Sequence, residues 1–166
     1  MQIQPPQTET ELKLRAARLD GQTLGEIAAE LGTRCPENLK RNKGWVGQLL
    51  EAALGATAGS RALPDFPTLG IEMKTIPMSP SGSPKESTYV CVAPLDGTLA
   101  QRWEDSWVHQ KLSAVLWIPI EVRPDQPIAK RRVLKPYLWR PTPPEMKQLQ
   151  SDWEGLSELI GMGAIW

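Results

Sequence analysis

The chain has 166 residues, of which 40% are hydrophobic and 23% are charged. This composition excludes a fibrous repeat and a disordered tail, and the length suits one domain or a compact pair of subdomains. Basic and acidic residues number 19 each, so the total charge gives no sign of a nucleic-acid partner. No apolar run approaches the roughly 20 residues that cross a bilayer, and no secretory signal is visible. With two cysteines and one histidine, any metal must be held mainly by oxygen, which favours magnesium, manganese or calcium.

Two helical patterns open the chain. Apolar residues at helical spacing predict a first helix that ends at Gly21, with Thr8 or Thr10 as its N-cap. Thr23 and Glu26 have the spacing of a capping box, which predicts a second, short helix.

A third helix is predicted over residues 45–55, and one of its faces is nearly bare. Gly44, Gly47, Glu51 and Gly55 fall on one line of this helix, so Glu51 is the only large side chain there. Glycine in a helix costs about 0.5–1 kcal/mol relative to alanine, so we expect something to approach this face closely. A ligand, a strand or plain backbone packing would each satisfy that expectation.

Strands dominate the middle of the chain. Alternating or β-branched segments predict strands at 69–76, 87–93, 114–122 and within 127–140. Helices are predicted at 107–113, with Asp105 or Ser106 as cap, and at 144–160. This order predicts an α/β fold in which a mixed central β-sheet is flanked by helices.

The candidate catalytic residues of the sequence are Asp65, Glu72 and Lys74. On a strand, Glu72 and Lys74 point to the same face, roughly 6.6 Å apart along the chain, and Asp65 can fold back beside them. Two carboxylates leave positions on a magnesium ion for water and a phosphate oxygen, while a lysine can orient the attacking water. Spacing alone is weak support, because a Glu-x-Lys pair is usually a solvated ion pair worth about 0–1 kcal/mol.

A resemblance over most of the chain strengthens the nuclease hypothesis. The motif Leu69-Gly-Ile-Glu-Met-Lys-Thr-Ile-Pro77 resembles the MutH family of mismatch-repair endonucleases, which has a restriction-endonuclease-like core. Further segments resemble the family and occur in the same order as in the family, at 23–28, 36–51, 54–60, 90–95 and 115–119.

The resemblance implies roles for the residues of the catalytic centre. Asp65 and Glu72 would bind Mg²⁺, and Lys74 would position the nucleophilic water. Glu51 and Lys111 match further active-site positions of the family. Mn²⁺ would replace Mg²⁺ in activity, whereas Ca²⁺ would bind without supporting cleavage.

The resemblance also implies contacts with DNA. Lys43 and Gly44 match positions expected to touch double-stranded DNA, and Tyr89 matches an aromatic position associated with site recognition. The implied activity is nicking of the unmethylated strand at hemimethylated GATC sites, on activation by MutL and, through it, MutS. We expect a cytoplasmic monomer without membrane contact.

The family continues beyond Trp166, where this sequence stops. We therefore predict an N-terminal helical arm with an active-site helix over 1–62, a catalytic β-sheet core over 63–143, and a C-terminal helix over 144–166. That helix would begin an absent or truncated C-terminal lobe, which reads GATC in the family. Two alternatives stay open: a truncated, non-catalytic fragment that binds DNA or MutL, and a relative of GATC-specific type II restriction endonucleases.

Overall fold

A computed structural model describes residues 2–96 and 102–164 of the chain. The helices in these ranges are α1 (Glu9–Leu19), α2 (Leu24–Glu30), α3 (Trp45–Leu54), α4 (Trp107–Leu112) and α5 (Pro143–Gly161). The strands are β1 (Glu72–Met78), β2 (Val115–Glu121), β3 (Arg132–Val133) and β4 (Tyr137–Trp139). The strands form one mixed sheet with helices around it, so the predicted α/β class is confirmed.

Strand β2 is the centre of the sheet. It pairs in parallel with β1, with Glu72 opposite Val115, and it pairs antiparallel with both β3 and β4. A parallel connection needs a crossover, and α4 lies in the segment between β1 and β2. The crossover therefore brings the end of α4 to the start of both strands.

Local sequence signals place the helix starts correctly. Thr8 caps α1, and the Thr23–Glu26 capping box of α2 has both of its reciprocal hydrogen bonds. Helix α4 is capped by Ser106, whose hydroxyl accepts a hydrogen bond from the backbone N–H of His109. Of the two caps considered for α4, the serine is the one used.

The strand predicted over residues 87–93 is wrong. This segment follows the hairpin-like turn after β1, but its backbone pairs with no strand among the described residues. Tyr89 and Val92 are 69% and 60% exposed. β-branched and aromatic residues favour extended backbone, yet a strand is stable only where it packs and pairs.

Two other strand boundaries differ from prediction. The strand expected at 69–76 begins only at Glu72, because the preceding residues form a tight turn. The strand expected within 127–140 is divided into β3 and β4. Pro136 lies between these two strands and has no N–H for a ladder hydrogen bond.

Helices α1, α2 and α3 pack with β1 and β2 around one hydrophobic core. Its fully or almost fully buried members include Leu12, Leu24, Ile27, Leu50, Leu54, Ile71, Leu116 and Ile118. Burying each such side chain stabilises the fold by about 1.5–3 kcal/mol. Helix α3 packs on β1 in this core. Glu51 on α3 is close enough to Glu72, the first residue of β1, to interact with its charge.

Helix α5 presents apolar residues to solvent near its end. Leu156, Leu159 and Met162 are 42%, 48% and 68% exposed. The last two residues of the predicted C-terminal segment 144–166, Ile165 and Trp166, lie outside the described residues. Separately, no helix of the described chain is both long and apolar enough to cross a membrane.

Candidate active site

A tight turn brings Asp65 to the start of β1. Phe66 and Ile71 bridge this turn, with hydrogen bonds of 2.9 Å from Phe66 N–H to the Ile71 carbonyl and 3.3 Å in the other direction. Gly70 has a φ of 66°, a left-handed conformation that glycine adopts without strain. The fold-back of Asp65 expected from the sequence is therefore observed.

Asp65 is anchored by the backbone of β1. Its Oδ2 accepts a hydrogen bond of 2.9 Å from the Met73 N–H. The Glu72 N–H donates to the Ala114 carbonyl on the β2 side, so the Met73 N–H lies on the opposite edge of β1. Asp65 thus satisfies a backbone donor at that edge, and no protein group of the described chain donates to its Oδ1.

Glu72 contacts both lysines of the site. The Lys111 ammonium, at the end of α4, lies 3.1 Å and 3.0 Å from the two carboxylate oxygens of Glu72. The Lys74 ammonium lies 3.9 Å from Glu72 Oε1 and donates to the Tyr89 carbonyl at 2.8 Å. As predicted from strand alternation, Glu72 and Lys74 share one face, whereas Met73 is buried in the core.

Burial and mutual repulsion perturb the acidic groups. The pKa of Glu51 is raised to about 7, first by burial and then by the charges of Asp65 and Glu72. The pKa of Glu72 is also raised, mainly by burial and by Asp65, although the Lys111 contact opposes this. Burial lowers the pKa of Lys74, against the attraction of Glu72. Such shifts are common where charges are gathered for chemistry or for binding a cation.

The raised pKa of Glu51 predicts a pH-dependent stability. The folded state holds the Glu51 proton up to about pH 7, above the ordinary value of 4.5, so stability falls as the pH rises through this range. In EDTA, Glu51→Gln should raise the free energy of unfolding by about 1 kcal/mol more at pH 8.5 than at pH 4.5, allowing for solvent screening. Urea denaturation measures both values.

Glu30→Gln, the same change on the exposed part of α2, is the control for this prediction. Equal effects of Glu51→Gln at the two pH values would contradict the assignment of the buried charge to Glu51.

The donor set suits a hard divalent cation. In residues 2–96 and 102–164, no three His, Cys, Asp or Glu side chains are gathered into a ready-made metal cage. Magnesium does not require one, because it keeps several waters and takes one or two carboxylates together with phosphate oxygens. Asp65 and Glu72 supply two buried carboxylates. Glu51 lies close enough to both for their negative charges to raise its pKa.

The expected DNA-contacting residues lie at the surface. Lys43 is exposed directly before Gly44, which has a φ of 80° and precedes the first residue of α3. The Tyr89 side chain is largely exposed. Contact of these residues with DNA stays a prediction, and the structure adds a separate role for the Tyr89 carbonyl as an acceptor for Lys74.

The bare face of α3 is closely approached at one end only. A Cβ on Gly55 would lie 2.5 Å from the Gln4 carbonyl oxygen and 3.0 Å from Arg15 Nη1. A Cβ on Gly47 would meet nothing within 4 Å. Backbone packing therefore explains Gly55, whereas Gly47 faces open space.

The main chain supplies two acceptors to the site that no sequence pattern predicted. The Leu63 carbonyl accepts a hydrogen bond of 3.1 Å from Lys111, and the Tyr89 carbonyl holds Lys74. Every residue has a carbonyl group, so no side-chain pattern marks these two positions. Only the folded backbone identifies them.

The fold and the site together define a class of protein. A mixed sheet that presents two carboxylates and a lysine at the start of a strand is the arrangement of the restriction-endonuclease-like nucleases. In agreement, the family described as DNA mismatch repair enzyme MutH matches residues 54–152 of the chain.

Individual relatives extend this match over nearly the whole sequence. The DNA mismatch repair protein MutH of Escherichia coli O6:K15:H31 is 53% identical over 163 residues, covering 98% of this chain and 71% of the relative. The protein of the same name from Shewanella amazonensis is 53% identical over 161 residues, covering 97% and 72%. The chain belongs to the MutH family of DNA mismatch-repair endonucleases.

Proposed function

We propose that this chain hydrolyses one strand of double-stranded DNA, with Mg²⁺ as cofactor, at hemimethylated GATC sites. The observation that carries the proposal is the convergence of Asp65, Glu72 and Lys74 at the start of β1. Family membership supports the same reaction class. Regulation by MutL, and through it MutS, is part of the proposal and follows from the resemblance.

Each side chain of the site would have a distinct role in phosphodiester hydrolysis. Asp65 and Glu72 would hold the cation, and Glu51 would add a third acidic group beside it. A bound divalent cation would polarise the phosphate and lower the pKa of an attacking water. Lys74 projects from the same face as Glu72, where its ammonium can orient the water and offset phosphate charge.

Burial also prepares Lys74 for proton transfer. Its pKa is lowered by burial, so the neutral amine is more accessible near neutral pH than that of a solvated lysine. The Tyr89 carbonyl fixes Nζ in position by accepting one hydrogen bond. The remaining donors of Lys74 are available for the phosphate or the water.

The reaction is tested on closed circular DNA that contains one hemimethylated GATC site. Wild type with Mg²⁺ should convert the circle to the nicked form, whereas EDTA and Asp65→Ala should each abolish nicking. Asp152→Ala, which removes a carboxylate from the exposed part of α5, should cut like wild type.

Mapping the nick separates the two parts of the proposal. Cuts in the unmethylated strand of GATC support the full proposal, and cuts elsewhere would remove the site specificity from it. Equal nicking by wild type and Asp65→Ala would overturn the assignment of the active site.

A further inference from the structure

The Lys111 ammonium sits in a cage of three oxygens. Its acceptors are the two carboxylate oxygens of Glu72, at 3.1 Å and 3.0 Å, and the Leu63 carbonyl at 3.1 Å. A lysine ammonium has three donors, so all three are used by this cage. Carboxylate and carbonyl oxygens are also the ligands preferred by hard divalent cations.

The second lysine of the site is placed differently. The Lys74 ammonium is 3.9 Å from Glu72 and is held by the Tyr89 carbonyl instead. Within the part of the chain that the structure describes, Lys111 is therefore the group that occupies the oxygens of Glu72.

On the basis of the proposed metal-dependent function, we propose that Lys111 is an exchangeable internal counter-ion of the active site. Without metal, its ammonium neutralises Glu72 and joins the strand to the Leu63 carbonyl, two residues before Asp65. When Glu72 binds a divalent cation, Lys111 leaves the carboxylate and becomes available to the DNA phosphate.

Electrostatics favours this exchange. An ammonium and a divalent cation that both lie about 3 Å from one buried carboxylate repel each other. A path to solvent is open to Lys111, because its side chain is 20% exposed and no residue of α4 is buried. The Glu72 side chain is less accessible, with only 7% of its surface exposed.

The exchange links cation binding to the arrival of substrate. Displacing the ammonium from Glu72 makes cation binding less favourable. A new ion pair between Lys111 and a DNA phosphate would offset this cost. Lys111 should therefore weaken metal binding to the free protein and favour the joint binding of metal and DNA. A lysine that only braces the site would do the opposite, since its loss would disorder Glu72 and weaken metal binding.

The test is Mn²⁺ binding to the full chain without DNA, measured by calorimetry. Lys111→Met should bind Mn²⁺ about tenfold more tightly than wild type, the order expected from removing a neighbouring unit charge. Lys111→Arg should bind no more tightly than wild type, because a guanidinium pairs with a carboxylate through two hydrogen bonds. Lys13→Met, which removes an exposed lysine of α1 paired with Glu9, should leave the affinity unchanged.

If Lys111→Met does not fold, the exchange can be tested on the wild-type protein instead. Acetylation of lysines, followed by mass spectrometry, should modify Lys111 slowly in EDTA and at least severalfold faster with saturating Ca²⁺. Unchanged labelling of Lys111 would contradict the exchange.

The outcomes separate the counter-ion role of Lys111 from the proposed metal-dependent hydrolysis of DNA. If wild type binds Mn²⁺ and Lys111→Met binds it equally or more weakly, the counter-ion role is wrong and the metal-dependent function stands. If neither protein binds Mn²⁺ at millimolar concentration, the counter-ion role is wrong and the proposed metal site fails with it.

Discussion

Glu72→Gln should abolish DNA nicking, with a fall in rate of at least about 10³-fold. The substitution keeps the size of the side chain and a carbonyl acceptor for Lys111, so the protein should still fold. It removes the charge that a hard cation requires, so Mn²⁺ affinity should fall by about tenfold or more. Single-turnover nicking and calorimetry measure the two effects.

Glu121→Gln is a matched control for this experiment. It makes the same change at the end of β2, where Glu121 pairs with the exposed Arg123. We expect nicking and Mn²⁺ affinity at the wild-type level, because exposed ion pairs contribute about 0–1 kcal/mol and this one lies outside the site. Activity retained in Glu72→Gln would show that the cation is held elsewhere.

Lys74→Met should slow the chemical step by about 10²–10⁴-fold while leaving the protein folded and able to bind metal. The rate falls because the substitution removes the Lys74 ammonium from the face of β1 that carries Glu72. In the wild type, the Tyr89 carbonyl holds this ammonium in position. Its distance of 3.9 Å from Glu72 makes its effect on Mn²⁺ affinity smaller than that of Lys111→Met. Rates at saturating metal and DNA isolate the chemical step.

Lys13→Met serves again as the control, since it removes a lysine on α1 that pairs with Glu9. A normal rate for Lys74→Met at saturation would contradict the role of Lys74 at the phosphate. A defect confined to DNA affinity would limit Lys74 to binding.

Local patterns were sufficient to predict much of this fold. The caps at Thr8 and Thr23 and the apolar spacing of the first three helices depend on contacts within a few residues, which sequence shows directly. Strand alternation likewise placed Glu72 and Lys74 on one face and Met73 in the core.

Long-range pairing explains where prediction failed. The composition of residues 87–93 favours extended backbone, but whether a partner strand accepts them is decided by the rest of the fold. The carbonyls of Leu63 and Tyr89 were missed for a related reason, since their role depends on lysines far along the chain. Asp65 was placed correctly because a short turn, bridged by Phe66 and Ile71, connects it to β1.

The most direct test of the site is the location of bound Mn²⁺ by anomalous scattering from crystals of the wild-type chain. The assignment predicts a peak that contacts the carboxylates of Asp65 and Glu72, with Lys74 on the same side of the sheet. A peak remote from both carboxylates, at saturating Mn²⁺, would contradict the metal-dependent mechanism proposed for this chain.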